Sequence, residues 1–107
     1  MEIKEINEFV DEEIDMLKEY YKLKNDEELT LAVTIKIGEE LGELCNEVLA
    51  HKGYQRRDKL AKLDIEEIEE EIADVVFTTF ILARRFNIDI EKAMENKMIK
   101  IRGRRQR

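Results

Sequence analysis

The stretch LTLAVTIKIGEELGELCNEVLAH, residues 29–51, and its counterpart IEEIEEEIADVVFTTFILARR, residues 65–85, decide the fold. Both are long, proline-free and regular in their apolar spacing, which predicts helices rather than strands. At 100° per residue the first places Val33, Ile37, Leu41, Leu44 and Val48 on one stripe. Leu31, Ile35, Gly38, Gly42, Cys45 and Leu49 form a second apolar or small stripe beside it. Together they cover more than half of the circumference, leaving Lys36, Glu39, Glu40, Glu43 and Glu47 on the remaining face. The second stretch repeats the design. Ile65, Ile68, Ile72, Val75, Val76, Thr79, Leu82 and Ala83 make a wide apolar arc, while Glu67, Glu70, Glu71 and Asp74 share the other face. No residue from Val75 to Ala83 is charged, so Asp74 stands at the edge of a segment predicted to be buried. A carboxylate there requires a cation or hydrogen bonds, because an unpaired buried charge is costly.

One connection joins the two helices, so they are expected to pack antiparallel. With His51 level with Asp64, Glu43 comes level with Ile72 and Glu40 with Val75. The cluster Glu39, Glu40 and Glu43 then stands at the height of Glu71 and Asp74. Steps of three residues keep Glu40 with Glu43, and Glu71 with Asp74, on shared faces. Carboxylates gathered in this way repel one another unless a metal joins them. Oxygen-only ligands select hard cations, so Mg²⁺ or Mn²⁺ is expected. The plainer reading is that each glutamate is a solvated helix residue, as most of the 26 acidic side chains must be. Other chemistries fit less well. The single histidine, His51, has no glutamate three residues before it, unlike the ligands of di-iron bundles. Zinc would want Cys and His clusters, and the four glycines are too scattered for a phosphate loop.

Outward from this pair, the 107 residues are read as a single domain, 1–107. With 43% hydrophobic and 42% charged residues the chain can bury a core, and disorder is not expected. A net charge of −7 argues against broad nucleic-acid binding. The charge is uneven, though. Residues 1–15 are acidic and the tail from Arg102 to Arg107 is basic, either a solvated helix end or a phosphate contact. The one cysteine, Cys45, precludes an internal disulfide and reads as a small core residue. There is no membrane-length apolar run and no signal-peptide core at the N-terminus, so the expected location is the cytoplasm.

The remaining helices follow from spacing and caps. The first is predicted from Ile3 to Tyr21, with the stripe Ile3, Ile6, Val10, Ile14, Leu17 and Tyr21. Asn25 caps the next, with Glu28 as its reciprocal partner, and Gly53 is a left-handed stop near its end. A loop from Gly53 to Leu63 carries Arg56, Arg57, Lys59 and Lys62. Asp64 and Glu67 then form a second capping pair, opening a helix that runs to about Phe86. Asn87 ends it, and Asp89 caps a fourth helix from Ile90 to about Arg102 with the stripe Ile90, Met94, Met98 and Ile101. The result is an all-α, four-helix bundle around a central antiparallel pair. Its apolar arcs exceed what neighbouring helices can cover, which predicts a homo-oligomer with a site that can span subunits.

The segment Lys36-Ile-Gly-Glu-Glu-Leu-Gly-Glu43 resembles the EExxE motif of the MazG-type nucleotide pyrophosphohydrolases, and Glu71-Ile-Ala-Asp74 resembles their ExxD motif. Residues Ala93 to Arg102 are similar to the Asn/Lys/Arg segment that follows in that family. The ordered set spans about residues 29–102. The resemblance implies a dimer- or tetramer-forming enzyme that hydrolyses nucleoside triphosphates between the α- and β-phosphates. Its products are a monophosphate and pyrophosphate, and its role would be nucleotide-pool cleansing. By position, Glu40, Glu43, Glu71 and Asp74 would hold Mg²⁺, and Glu39 (with Glu47 next) would orient or deprotonate water. Lys97, Lys100 and Arg102 would contact phosphates; the alternative is ordinary cations at a helix C-terminus. The chain has no tryptophan for the base pocket where many members use one; Tyr20, Tyr21 and Tyr54 could stack there instead. Four residues beyond Asp74, where some members carry tyrosine, stands Thr78. Two rival readings remain: a non-catalytic helical dimerisation or interaction module, and RNA binding through the basic tail.

Overall fold

The computed structural model describes residues 1–51 and 65–105, apart from the side chain of His51, and the described residues form four helices and no strand. They are α1 (Ile3–Tyr20), α2 (Asp26–His51), α3 (Ile65–Arg85) and α4 (Ile90–Arg105). The expectations for Gly53, Tyr54, the 53–63 loop, the Asp64 cap and residues 106–107 lie outside the described residues.

The helix ends follow local chemistry. Leu23 N–H donates to the Lys18 carbonyl (2.9 Å) and Lys22 N–H to that of Glu19 (3.3 Å), a Schellman closure of α1. It places Lys22 at φ 52°, the left-handed region that an L side chain enters at a cost. The strain is held because Leu23, the next residue, is packed against the core. The same closure ends α3, with Ile88 N–H on the Ala83 carbonyl (2.9 Å) and Asn87 at φ 53°. Asn25 Oδ1 accepts from Glu28 N–H at 2.9 Å, capping α2 as expected. The reciprocal Glu28 carboxylate takes the N–H of Lys24 (2.6 Å) instead of that of Asn25. Asp89 Oδ1 caps α4 through Lys92 N–H at 3.1 Å. That helix continues past Arg102, so the basic residues Arg104 and Arg105 are its last turn.

The core is small. Val10 (0% exposed), Leu29, Val33, Phe80 and Ile81 are buried together, with Ile3, Ile6, Ile14, Leu17, Leu23, Ile37, Phe77, Leu82 and Ile90 packed round them. Each of the first three helices contributes one stripe at three- and four-residue steps. Helix α3 packs along α2 and against α1, where the Phe9 and Phe77 rings stand 5.1 Å apart. Arg84 grips Asp11 with two hydrogen bonds of 2.9 and 2.8 Å, and this partner holds the Asp11 carboxyl below its ordinary pKa. Lys18 pairs with Asp26 at 2.6 Å, joining the end of α1 to the start of α2. Arg85 Nε reaches the Asp26 carbonyl at 3.1 Å, tying the end of α3 to the beginning of α2. The two central helices are thus antiparallel, as their register predicts.

Three expectations are corrected. On α2 only Leu29, Val33 and Glu40 are fully buried, and the second stripe lies open: Leu31 is 60% and Ile35 65% exposed. Cys45, read as a core residue, is exposed, and a Cβ added at Gly38 or Gly42 would meet nothing within 4 Å. Tyr21 is exposed too, so the α1 stripe ends at Leu17. Finally, α4 has no buried residue, and Met94, Met98 and Ile101 face solvent. The radius of gyration, 17.1 Å, exceeds the roughly 13 Å of a compact domain of this size. One chain therefore supplies three packed helices and a projecting fourth rather than a closed four-helix bundle. No described helix is long and apolar enough to cross a membrane.

With so small a core, single side chains matter. Leu29→Ala is expected to cost about 2–4 kcal/mol in urea unfolding. Lys22→Gly, which relieves the left-handed residue, is expected to add roughly 0.5–1 kcal/mol.

Candidate metal centre

Below the apolar core the α2–α3 contact turns acidic. Glu40 follows Leu29, Val33 and Ile37 on the inward stripe of α2 and is 8% exposed. Its place on the polar face of the sequence plot is therefore corrected: it borders both faces, and packing against α3 turns it inward. Glu43 is one turn further on and exposed, and Glu71 projects from α3, half-buried. One carboxylate oxygen from each of Glu40, Glu43 and Glu71 lies within 4.8 Å of the others. Oε2 of Glu40 and Oε2 of Glu71 are buried, with no hydrogen-bond partner among the described residues. The other oxygen of Glu40 is met by Lys36 Nζ at 3.2 Å, one turn back along α2. Burial raises the Glu71 carboxyl above the ordinary glutamate value, and the charges of Glu43, Asp74, Glu40 and Glu47 push the same way.

These features test the fit of a metal. Two orphaned carboxylate oxygens beside a third form an all-oxygen donor set, which suits a hard dication and gives softer metals no nitrogen or sulfur. A cation there would answer both the missing hydrogen bonds and the mutual repulsion.

The remaining candidates fall in different places. Asp74 is exposed and stands outside the converging triad, although its charge acts on Glu71. It shares with Lys36, Glu40 and Thr78 the lining of a cavity of about 210 Å³ closed by Phe9, Val10, Phe77 and Ile81. Thr78 Oγ1 donates to the Asp74 carbonyl at 2.7 Å, fixing the backbone one turn below. Glu39 is outside the triad and lines an apolar cleft of about 410 Å³ together with Leu17, Tyr21, Leu23, Leu29, Val33, Ile35 and Lys36. Tyr20 packs edge-on against Tyr21, ring centroids 4.8 Å apart. Lys97, Lys100 and Arg102 are exposed on α4 and line neither cavity. Two residues given no role by the sequence line these cavities. Glu13 lines the Glu40–Asp74 cavity from α1; its position three residues after Val10 and four before Leu17 carried that signal. Lys36 lines both cavities.

An antiparallel helix pair with a converging carboxylate triad belongs to the class of helical, all-oxygen arrangements that could hold a metal ion. Within that class the chain belongs to the MazG-like family, whose model matches residues 31–105. It is also 36% identical, over 102 residues covering 95% of this chain and 85% of the relative, to YpjD of Bacillus subtilis (strain 168), described as an uncharacterized protein. No solved structure matches it significantly.

A carboxyl whose pKa is raised on folding holds more protons in the folded chain than in the unfolded one. Its contribution to stability is therefore lost as pH rises through the raised value. In metal-free buffer Glu71→Gln is expected to melt higher than wild type, by a margin that widens as pH rises above the ordinary glutamate value and levels off once the raised value is passed. Mg²⁺ is expected to raise the wild-type Tm and to leave that of the variant nearly unchanged. Calorimetric melts with chelator and with Mg²⁺ check both.

Proposed function

We propose that the chain is a Mg²⁺-dependent nucleoside triphosphate pyrophosphohydrolase, cleaving (d)NTP to (d)NMP and pyrophosphate. The observation that carries this reading is the pair of buried, unpartnered oxygens of Glu40 and Glu71 beside Glu43, in a chain of the MazG-like family. Glu40, Glu43 and Glu71 would hold the ion, with Asp74 at the rim of the same cavity as Glu40. Bound there, Mg²⁺ (or Mn²⁺) supplies charge neutralisation for the polyphosphate and lowers the pKa of a coordinated water. The apolar cleft beyond Lys36, with Tyr21 on its wall, is of a size and polarity suited to a nucleobase. Glu39, on that wall, takes or orients the proton of the attacking water; Glu47, whose charge reaches Glu71, is the second candidate.

The basic residues complete the reading through a second copy. Lys97, Lys100 and Arg102 border neither the carboxylate cavity nor the apolar cleft, and the apolar side chains Met94, Met98 and Ile101 of the same helix face solvent. In the proposed homo-oligomer, α4 covers an exposed apolar face of a neighbour and brings these cations to the neighbour's phosphates. There they stabilise the leaving pyrophosphate.

A panel of NTPs and dNTPs with and without Mg²⁺, assayed for pyrophosphate, tests the reaction. Glu43→Gln and Asp74→Asn are expected to lose about 100-fold or more in turnover. Of Glu39→Gln and Glu47→Gln, the one that keeps metal affinity and loses turnover names the base. No pyrophosphate from any nucleotide, with melting unmoved by Mg²⁺, would overturn the enzyme and leave a helical interaction module. Mixing inactive Glu43→Gln with inactive Lys97→Ala is expected to restore part of the activity, since one composite site per hybrid is then intact. No recovery, or a monodisperse monomer by light scattering, refutes the shared site.

A further inference from the structure

Leu17, Val33 and Lys36 line both the carboxylate cavity and the apolar cleft; Lys36 alone of the three carries a charge, and its ammonium holds Glu40 Oε1 at 3.2 Å. Its side chain is 45% exposed, against 10% for that of Glu40, so it can swing without opening the core. The lysine stem is flexible, and the ammonium is a compact charge that serves any nearby anion.

We propose that Lys36 is an exchangeable counter-ion: it neutralises Glu40 in the metal-free chain and, displaced when a divalent cation takes Glu40, moves to the phosphates of the substrate. The inference deepens the pyrophosphohydrolase reading and rests on it for the identity of the anion. Glu40 is buried with one oxygen unpartnered, so in the absence of metal the ammonium is the cation shown at its carboxylate. A dication drawn to Glu40, Glu43 and Glu71 replaces that pairing and repels the ammonium, which is tethered one turn away at the boundary between the two cavities. A polyanion joining the metal to a base in the cleft must pass this boundary. The released charge meets it there and forms charge-assisted hydrogen bonds. Metal and substrate are thereby ordered, because the phosphate ligand becomes available only after the ion has bound.

Lys36→Met removes the charge and keeps most of the stem, and Lys36→Arg keeps the charge. In Mn²⁺ titrations without nucleotide, Lys36→Met is expected to bind the ion about fivefold more tightly than wild type, its competitor being gone. A lysine that merely braced the site would give the opposite sign. With saturating Mg²⁺, the same variant is expected to raise KM about tenfold, with Lys36→Arg close to wild type. Matching thermal melts confirm that both variants fold. Unchanged or weaker Mn²⁺ binding, or an unchanged KM, each overturns the exchange. If the wild-type chain turns over no nucleotide, the functional reading fails separately. Mn²⁺ affinity and the equilibrium binding of Mg²⁺–tripolyphosphate, which require no turnover, then decide the role of Lys36: weaker tripolyphosphate binding by Lys36→Met supports the exchange and equal binding refutes it.

Discussion

The structure turns on one carboxylate. Glu40 occupies an inward position on α2, on the stripe that also carries Leu29, Val33 and Ile37, where its neighbours bury apolar surface. Taking a charge out of water is unfavourable unless it is paired and hydrogen-bonded. Here the pairing is half complete, with Lys36 on one oxygen and nothing on the other. Across the helix contact Glu71 repeats the defect, with Glu43 adding a third carboxylate. The apolar contacts of Val10, Leu29, Val33, Phe80 and Ile81 hold α1, α2 and α3 together above this region and so hold the carboxylates at close quarters. Stability at one end of the helix pair sustains a locally unfavourable, cation-seeking arrangement at the other.

Much of this was legible in the chain. The helices, their order, the caps at Asn25 and Asp89 and the antiparallel register all follow from signals that act within a few residues. The register alone brought Glu40 and Glu43 to the height of Glu71, because two straight helices joined once have little freedom to slide. What could not be read is what depends on the third partner. Periodicity gave α2 two apolar stripes and no means of choosing which faces its own chain; α3 and α1 make that choice, and it rotates Glu40 inward and Cys45 outward. The Arg84–Asp11 grip joins residues 73 apart and leaves no local trace. Asp74 and Glu71 share one face of the helical wheel, about 60° apart. A difference in how the two side chains meet α2 brings one into the triad and leaves the other at the cavity with Thr78.

The second stripe has its own logic. A lone soluble chain gains nothing by presenting Leu31, Ile35 and Leu49 to water beside two glycines with open space over them, nor by ending in a helix whose Met94, Met98, Ile99 and Ile101 are all exposed. Exposed apolar side chains of this kind are what the proposed homo-oligomer would cover. Small residues at Gly38 and Gly42 let another backbone come close, and methionines adapt to an irregular partner. The same α4 carries Lys97, Lys100 and Arg102, cations that line neither the carboxylate cavity nor the apolar cleft. A carboxylate site rich in negative charge and a projecting helix rich in positive charge are complementary surfaces carried on a single sequence. In the proposed homo-oligomer, association of two copies would satisfy the apolar face and the charge together, which is the physical ground for proposing the shared site with it.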